Sequence, residues 1–242
     1  MIYIKKRRYK PIYKKFLNLK QNVLNSQKLL GFKKRKWKKL ISYIQRRQTE
    51  FGQDYKLYDH NIYFLPKYSY SFNNKFRYNL QLRQRLKLFY GKLLKRYMKK
   101  QILSIVKNSF VTKKPTIRNK NILKLFENRL DTILYRAHFT PNIKIARQLI
   151  IHRHISVNDK LIQSPLHQLK PGDAIKISTK IHKQFAYNLL YESSLWPLPP
   201  KYLQINYRIF QIRIINEIET VNITSILPFW FDVNTIVKSL KY

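Results

Sequence analysis

The sequence has no cysteine, only 4 glycines and only 11 acidic residues among 242. Without cysteine, disulfides and cysteine-ligated zinc sites are excluded. So few glycines leave no phosphate-binding loop of the Walker type. No apolar run approaches the roughly 18 residues that a membrane-spanning helix needs. The six histidines, His152 and His154 among them, have no acidic ligand at metal-binding spacing, so we expect no metal and no cofactor.

The dominant feature is positive charge. Lysine and arginine total 50, and the formal net charge is +39. A chain with this charge repels itself and is expected to need a polyanion, because each phosphate it neutralises releases counterions and adds affinity. An anionic membrane surface would also supply negative charge. The size of the charge favours nucleic acid as the partner, and we expect no membrane association.

The charge is distributed unevenly along the chain. Residues 1–126 contain 35 basic and 3 acidic residues, whereas residues 127–242 contain 15 and 8. The first 49 residues contain no acid at all. The N-terminal half is therefore predicted to supply most of the electrostatic attraction, and the C-terminal half resembles an ordinary small domain.

Aromatic residues are interleaved with the basic residues at the N-terminus, which includes the run from Lys33 to Lys39. Aromatic rings can stack on exposed bases while cations hold phosphates. They can equally anchor short helices, and both interpretations stay open for Tyr9, Tyr13, Phe16, Phe32, Trp37 and Tyr43.

Helical spacing of apolar residues from Leu82 to Tyr97 predicts one or two helices over 79–107, with lysines and arginines over much of the remaining surface. Pro115 and its basic neighbours are expected to interrupt the helix, so residues 108–121 are predicted to be a linker.

A compact module is predicted at 123–178. One helix would bury Phe126, Leu130, Ile133, Leu134 and Ala137 on a single face. A second helix would begin at Thr140-Pro141, because threonine caps helices and proline suits the first turn. Together they are expected to present a patch of hydrogen-bond donors: Arg129, Arg136, Lys144, Arg147 and His152, with Gln148 on the same outer face of the second helix.

The helices are followed by patterns typical of strands. Alternation around Asn158-Asp159 predicts a tight hairpin, and residues 170–173 predict a turn before a strand at 174–177. Further strands are expected from Tyr202 to about Ile215, and a terminal helix at 232–240.

This combination of residues closely resembles the S-four RNA-binding domain. The resemblance is carried by Arg129-Leu-Asp131, Tyr135-Arg136, Ala146-Arg-Gln-Leu149, His152, Ile155-Ser-Val-Asn158, Lys160 and Lys170-Pro-Gly-Asp173. Flanking segments at 78–91, 200–206 and 228–240 resemble the S-four family of small-subunit ribosomal proteins. The absence of cysteine rules out the zinc site of some members, and Asp159 stands where glycine is commoner.

The resemblance implies an α+β fold, with a mostly helical basic N-terminal region joined to two helices packed on a small antiparallel sheet. It implies a structural protein, not an enzyme, that binds small-subunit rRNA, nucleates assembly and lies near the mRNA entry site. The expected partners are that rRNA, neighbouring small-subunit proteins and mRNA near the entry channel.

We predict four regions: a basic arm at 1–54, a helical RNA-binding region at 55–122, the S-four domain at 123–180, and a segment at 181–242 that returns to both domains. The predicted RNA-binding residues share basic or hydrogen-bonding side chains: Arg83, Lys87, Lys92, Arg96, Arg129, Arg136, Lys144, Arg147, Gln148, His152 and Lys160.

Two other functions remain as alternatives. A pseudouridine synthase can carry the same domain, and Arg129-Leu-Asp131 echoes a motif around that family's catalytic aspartate. The rest of the chain lacks the glycine-rich sequence of such a catalytic domain, so Asp131 is expected to be structural, with local hydrogen bonds at the helix surface. A free RNA chaperone built on the same domain would not need the C-terminal segment.

The abundance of Ile, Lys, Asn, Tyr and Phe suggests an A+T-rich gene. We therefore expect an organelle-encoded protein of the mitochondrial ribosome, with another A+T-rich organelle or the bacterial cytoplasm as the alternative.

Overall fold

The computed structural model describes residues 12–19, 23, 33–50, 72–109, 115–183, 185–186 and 199–216. These residues fall into two compact units, divided between Phe89 and Tyr90.

The first unit contains helices α1 (Ile12–Leu19), α2 (Arg35–Glu50) and α3 (Phe72–Phe89), and α1 contacts both of the others. Apolar side chains one helical turn apart, such as Leu82 and Leu86 on α3, are buried. The buried Arg85 donates a 2.9 Å hydrogen bond to the carbonyl of Leu19 at the end of α1. This bond satisfies a carbonyl that a helix end leaves without an intrahelical partner.

Two of the interleaved aromatic residues anchor this unit. Phe16 and Trp37 are fully buried, and their ring centroids lie 5.9 Å apart. These two rings therefore hold α1 against α2 and are not free to stack on bases. The side chains of Tyr9, Tyr13, Phe32 and Tyr43 lie outside the described residues.

The second unit begins with helices α4 (Lys95–Ser109), α5 (Pro115–Glu127), α6 (Leu130–Arg136) and α7 (Ile143–Ile151). One or two helices were predicted over 79–107, and the structure has two there: α3, which already begins at Phe72, and α4, which ends at Ser109. The predicted linker at 108–121 is wrong beyond residue 114, because Pro115 opens α5. Proline suits this first helical position, where its missing N–H costs nothing.

The single helix predicted across Phe126 to Ala137 is broken at residues 128–129. Arg129 is extended (φ −74, ψ 140) and forms a bridge with Gln168. The amide of Leu130 donates to the carbonyl of His167 at 3.0 Å, which ties the break to the segment before the third strand. The apolar residues at 126, 130, 133, 134 and 137 are nevertheless all buried, as predicted.

Helix α7 begins two residues later than predicted, and its cap is Asn142. The Asn142 side chain accepts hydrogen bonds from the amides of Lys144 and Ile145, both at 3.0 Å. Thr140, the predicted cap, is buried instead. Asparagine caps helices at least as well as threonine does. Asn142, which directly precedes the first helical residue, therefore takes the N-cap position of α7.

Five antiparallel strands complete the second unit: β1 (Ile155–Val157), β2 (Lys160–Leu161), β3 (Ala174–Ile177), β4 (Leu203–Asn206) and β5 (Gln211–Ile214). Their order is β2-β1-β3-β5-β4. Asn158 (φ 47) and Asp159 (φ 64) form the predicted tight hairpin between β1 and β2. Two positive φ values are typical of a type I′ turn, which the missing glycine does not prevent. Gly172 (φ 95) makes the turn before β3.

The predicted α+β fold is confirmed: helices make up most of the described residues of the N-terminal half, and a small antiparallel sheet follows α6 and α7. The strands predicted between residues 202 and 215 are confirmed as β4 and β5. The helix predicted at 232–240 lies outside the described residues.

Candidate nucleic-acid interface

A buried carboxylate joins two of the arginines predicted to bind RNA. Asp131 accepts hydrogen bonds from Nη2 of Arg129 at 2.5 Å and from Nε of Arg147 at 2.7 Å. The Arg129 and Asp131 side chains are completely buried, whereas Arg147 is 23% exposed. The Tyr97 ring from α4 lies 5.8 Å from the Arg129 guanidinium carbon and covers it. Asp131 is thus structural, as expected, but its bonds lie in the interior and not at the helix surface.

Arg147 also fixes the backbone that precedes α4. Its Nη1 donates to the carbonyl of Gly91 and its Nη2 to the carbonyl of Tyr90, both at 2.6 Å. Three of the five N–H groups of this guanidinium are therefore used inside the protein. One arginine on α7 holds α6 and the turn at residues 90–91 together.

A second buried carboxylate, Glu127 at the end of α5, binds Arg136. Arg136 donates to it from Nε at 2.9 Å and from Nη2 at 2.8 Å, and Tyr90 donates its hydroxyl at 2.5 Å. Burial alone would lower the pKa of Arg136, but the Glu127 charge outweighs it and raises that pKa. Burial first, and Glu127 next, raise the pKa of Tyr90 well above its usual value. Arg136 is therefore a permanent cation in a bidentate ion pair.

The predicted donor patch is corrected at Arg129. A continuous helix would have put Arg129 and Arg136 on one outer face, but the break at residues 128–129 turns Arg129 inward. Arg136 is 12% exposed and directed at Glu127. The expected exposure of these two arginines is wrong, because each supplies the counter-charge for a buried acid.

The other predicted RNA-binding residues, apart from Arg147, are exposed on the second unit or half-buried on the first. Lys144, Gln148 and His152 are exposed along α7 and its C-terminal cap, and Lys160 is exposed on β2. Exposed Arg96 belongs to α4, and exposed Lys92 lies in the turn before it. In the first unit, Arg83 and Lys87 are half-buried on α3. The second unit therefore presents basic side chains from α4, α7 and β2.

Sequence patterns alone missed two features of this surface. Arg153, exposed and with a left-handed backbone (φ 59), follows His152 and extends the basic surface past α7. A basic residue directly after His152 was the sequence signal that could have indicated this extension. Lys92 and Lys144 were both predicted to bind RNA, but nothing in their spacing indicated that they are neighbours. Gly91 and Ile143, the residues directly before them, are in close contact, because a Cβ on Gly91 would lie 3.1 Å from Cγ2 of Ile143. Burial first, and Lys92 next, lower the pKa of Lys144.

Within the described ranges, no group of three His, Cys, Asp or Glu side chains could hold a metal ion. No helix in that part of the chain has both the length and the apolarity to cross a membrane.

Residues 128–175 match the S4 domain family, the S-four domain expected from the motifs. Similar proteins include small ribosomal subunit protein uS4 of Karelsulcia muelleri (39% identity over 45% of this chain and 53% of the relative). The uS4 of Synechococcus sp. is 34% identical over 52% of this chain and 60% of the relative. The uS4c of Aneura mirabilis is 36% identical over 44% of this chain and 50% of the relative.

The chain therefore spans about half the length of these curated relatives. The matching domain covers the helix break, α6, α7, strands β1 and β2 and the first half of β3, which carry most of the exposed basic residues described above. Residues 128–175 are thus similar to the S4 domain, and proteins similar to the chain are named small ribosomal subunit protein uS4.

Proposed function

We propose that this chain is a structural constituent of the small ribosomal subunit that binds small-subunit rRNA. The observation that carries the proposal is an S4 domain at 128–175 with exposed basic side chains on α7 and β2, in a chain of net charge +39. The homologues' name, small ribosomal subunit protein uS4, supports the same function.

The domain separates its basic residues into two kinds. Arg129 and Arg136 form ion pairs with buried carboxylates, so they affect RNA binding only by stabilising the fold. Lys144, Gln148, His152 and Lys160 are exposed and supply direct donors. Lysines neutralise phosphates without reading bases, so recognition rests on the shape and backbone of the folded rRNA.

Basic residues outside the domain extend the proposed contact. Lys92 and Arg96 lie in the same unit as the S4 domain, and Arg83 and Lys87 lie on α3 of the other unit. We assign phosphate neutralisation to all four. A protein that contacts RNA from two units can hold neighbouring rRNA helices together, which supports a role in nucleating subunit assembly.

The finer predictions rest on the family resemblance and on composition. A position near the mRNA entry site, with mRNA and neighbouring small-subunit proteins as partners, follows from the resemblance. A mitochondrial ribosome follows from the abundance of residues with A+T-rich codons, although the relatives include a bacterial uS4 and a uS4c.

Equilibrium binding to small-subunit rRNA at several salt concentrations tests the proposed function. We expect tight binding whose logarithm falls linearly with the logarithm of salt concentration. Lys144→Glu and Lys160→Glu should each weaken binding about tenfold or more, because each reverses a charge at the interface. Lys180→Glu makes the same charge change at an exposed lysine outside the predicted contacts. Equal losses in all three variants would indicate unspecific attraction and contradict the assignment of this surface.

The pseudouridine synthase alternative is not favoured. Its catalytic residue would be Asp131, but this carboxylate is fully buried and bonded to Arg129 and Arg147. No substrate can reach it without opening the domain. The relatives are named as ribosomal proteins and not as enzymes.

A further inference from the structure

The turn that precedes α4 is pressed against the first turn of α7. Arg147 holds the carbonyls of Tyr90 and Gly91, each at 2.6 Å. A Cβ atom added to Gly91 would lie 3.0 Å from Nη2 of Arg147 and 3.1 Å from Cγ2 of Ile143. A side chain at this position would require Arg147 and Ile143 to shift, and the φ of 70 at Gly91 also favours glycine.

This docking places two lysines beside each other. Lys92 follows Gly91 and keeps the left-handed conformation (φ 61), and Lys144 follows Ile143 in α7. Both side chains are exposed, and burial together with the neighbouring Lys92 charge lowers the pKa of Lys144. Arg147 lies close enough to act on the charge of Lys144 as well. Three cations from two elements therefore converge on one spot.

The counter-charge beside this cluster serves Arg147 and not the two lysines. The nearby carboxylate, Asp131, is buried and bonded to Arg129 and Arg147. Across the described part of the chain, no ion pair involves Lys92 or Lys144. Burial, then Lys92, and then Arg147 lower the pKa of Lys144. Like charges held this close repel each other, and the arrangement is favourable only when an anion lies between them.

We propose that Lys92, Lys144 and Arg147 form one phosphate-binding subsite that grips a single phosphate of the rRNA backbone. This proposal rests on the proposed function and specifies one contact between the chain and the rRNA. A phosphate is favoured because it brings acceptor oxygens to several donors at once. Arg147 uses three of the five N–H groups of a guanidinium internally, so two remain to bind.

Arg147 and the two lysines have different roles in the subsite, as their contacts indicate. Arg147 positions the turn and sets the distance between the two lysines, in addition to offering its remaining donors. Lys92 and Lys144 make no internal bonds with carboxylates, so they can be replaced without loosening α7 from the turn at residues 90–91. They are therefore the residues to substitute, whereas an Arg147 variant would also disturb the fold.

The test is a double-mutant cycle on the full chain, with affinity for small-subunit rRNA measured at several salt concentrations. Lys92→Gln and Lys144→Gln should each weaken binding about tenfold and lower the salt slope by about one. Because both lysines act on one phosphate, the double variant should lose little more than either single variant, and its slope should also fall by about one. In the control pair, Lys144→Gln and Lys160→Gln lie on separate elements, and their losses should add.

A second measurement follows the Lys144 ammonium group by NMR in the wild-type protein. Addition of rRNA should raise the pKa of Lys144 towards its ordinary value, because a phosphate between the lysines replaces repulsion by attraction. A pKa that does not move while RNA binds would overturn the subsite.

The outcomes separate the subsite from the proposed function. If the wild-type protein binds rRNA but both single variants bind equally well, the subsite is wrong and the function stands. If the losses of Lys92→Gln and Lys144→Gln simply add, the two lysines contact different phosphates and a shared site is excluded. If the wild-type protein shows no salt-dependent rRNA binding, the proposed function fails and the subsite with it.

Discussion

Arg147 donates a 2.7 Å hydrogen bond to Asp131, sixteen residues earlier in the chain, and thereby joins helix α7 to helix α6 in the interior of the S4 domain. The same carboxylate binds the fully buried Arg129. The two arginines were predicted to contact RNA, but together with Asp131 they first form a structural unit. The following predictions test that role and the surface that it supports.

Asp131→Asn should lower the free energy of unfolding by about 3–5 kcal/mol, because it leaves the buried Arg129 without its counter-charge. Urea denaturation of the full chain measures this change. The matched control is Asp159→Asn, which breaks the exposed Lys176–Asp159 pair (50% and 76% exposed) and should cost less than about 1 kcal/mol. Equal effects of the two substitutions would show that the buried network does not stabilise the domain.

Gly91→Ala should destabilise the protein by about 1–3 kcal/mol, since it adds both a strained backbone and a close contact. The added Cβ would lie 3.0 Å from Arg147, whose guanidinium holds this turn. Gly172→Ala is the control, because Gly172 also has a positive φ (95) but no atom within 4 Å of the added Cβ. Thermal unfolding should rank Gly91→Ala as the more damaging change, and the reverse order would contradict the docked turn.

Stability should respond to pH through Lys144. Its pKa is lowered in the folded state by burial, Lys92 and Arg147, so its protonated form opposes folding. This cost is present at neutral pH and disappears as the pH rises from the lowered pKa to the ordinary lysine value of about 10.4. Lys92→Met removes the nearest like charge, so it should raise stability at neutral pH and flatten this pH dependence. Unfolding free energies of both proteins from about pH 8 to about pH 11 check the prediction; identical profiles would contradict it.

Tyr90 should lower the stability of the protein as the pH rises, whereas Lys144 should raise it. Burial and Glu127 raise its folded pKa, so its contribution to stability is complete below the ordinary tyrosine pKa of about 10 and is lost as the pH rises above that value. In Tyr90→Phe the alkaline loss of stability should be smaller. Urea denaturation at several alkaline pH values measures this, and an unchanged alkaline loss in the variant would argue against a neutral buried tyrosine beside Glu127.

Local patterns were sufficient to predict most of the S4 domain. The buried face of α6, the tight hairpin at Asn158-Asp159 and the strands β3, β4 and β5 all follow from hydrophobic periodicity and turn chemistry. These features depend on residues that are close together in the sequence, which explains why the sequence alone revealed them.

The errors arose where distant residues decide the structure. Arg129 leaves the helix because the chain near Gln168 pairs with its backbone and Asp131 binds its side chain. Nothing in the spacing of Arg129 and Arg136 indicates these partners. The proximity of Lys92 and Lys144 likewise depends on Arg147, which binds a turn more than fifty residues earlier in the chain.

Sedimentation of a cell or organelle lysate through a sucrose gradient in high salt, with this protein tracked across the fractions, tests the central claim most directly. An integral ribosomal protein should remain with the small subunit through the salt wash. The positive charge of the N-terminal half should not be sufficient for this retention if the S4 domain is not folded. Asp131→Asn, which disturbs that fold, should therefore reduce retention, whereas Asp159→Asn should not. Recovery of the wild-type protein at the top of the gradient would contradict the ribosomal assignment and favour a free RNA chaperone.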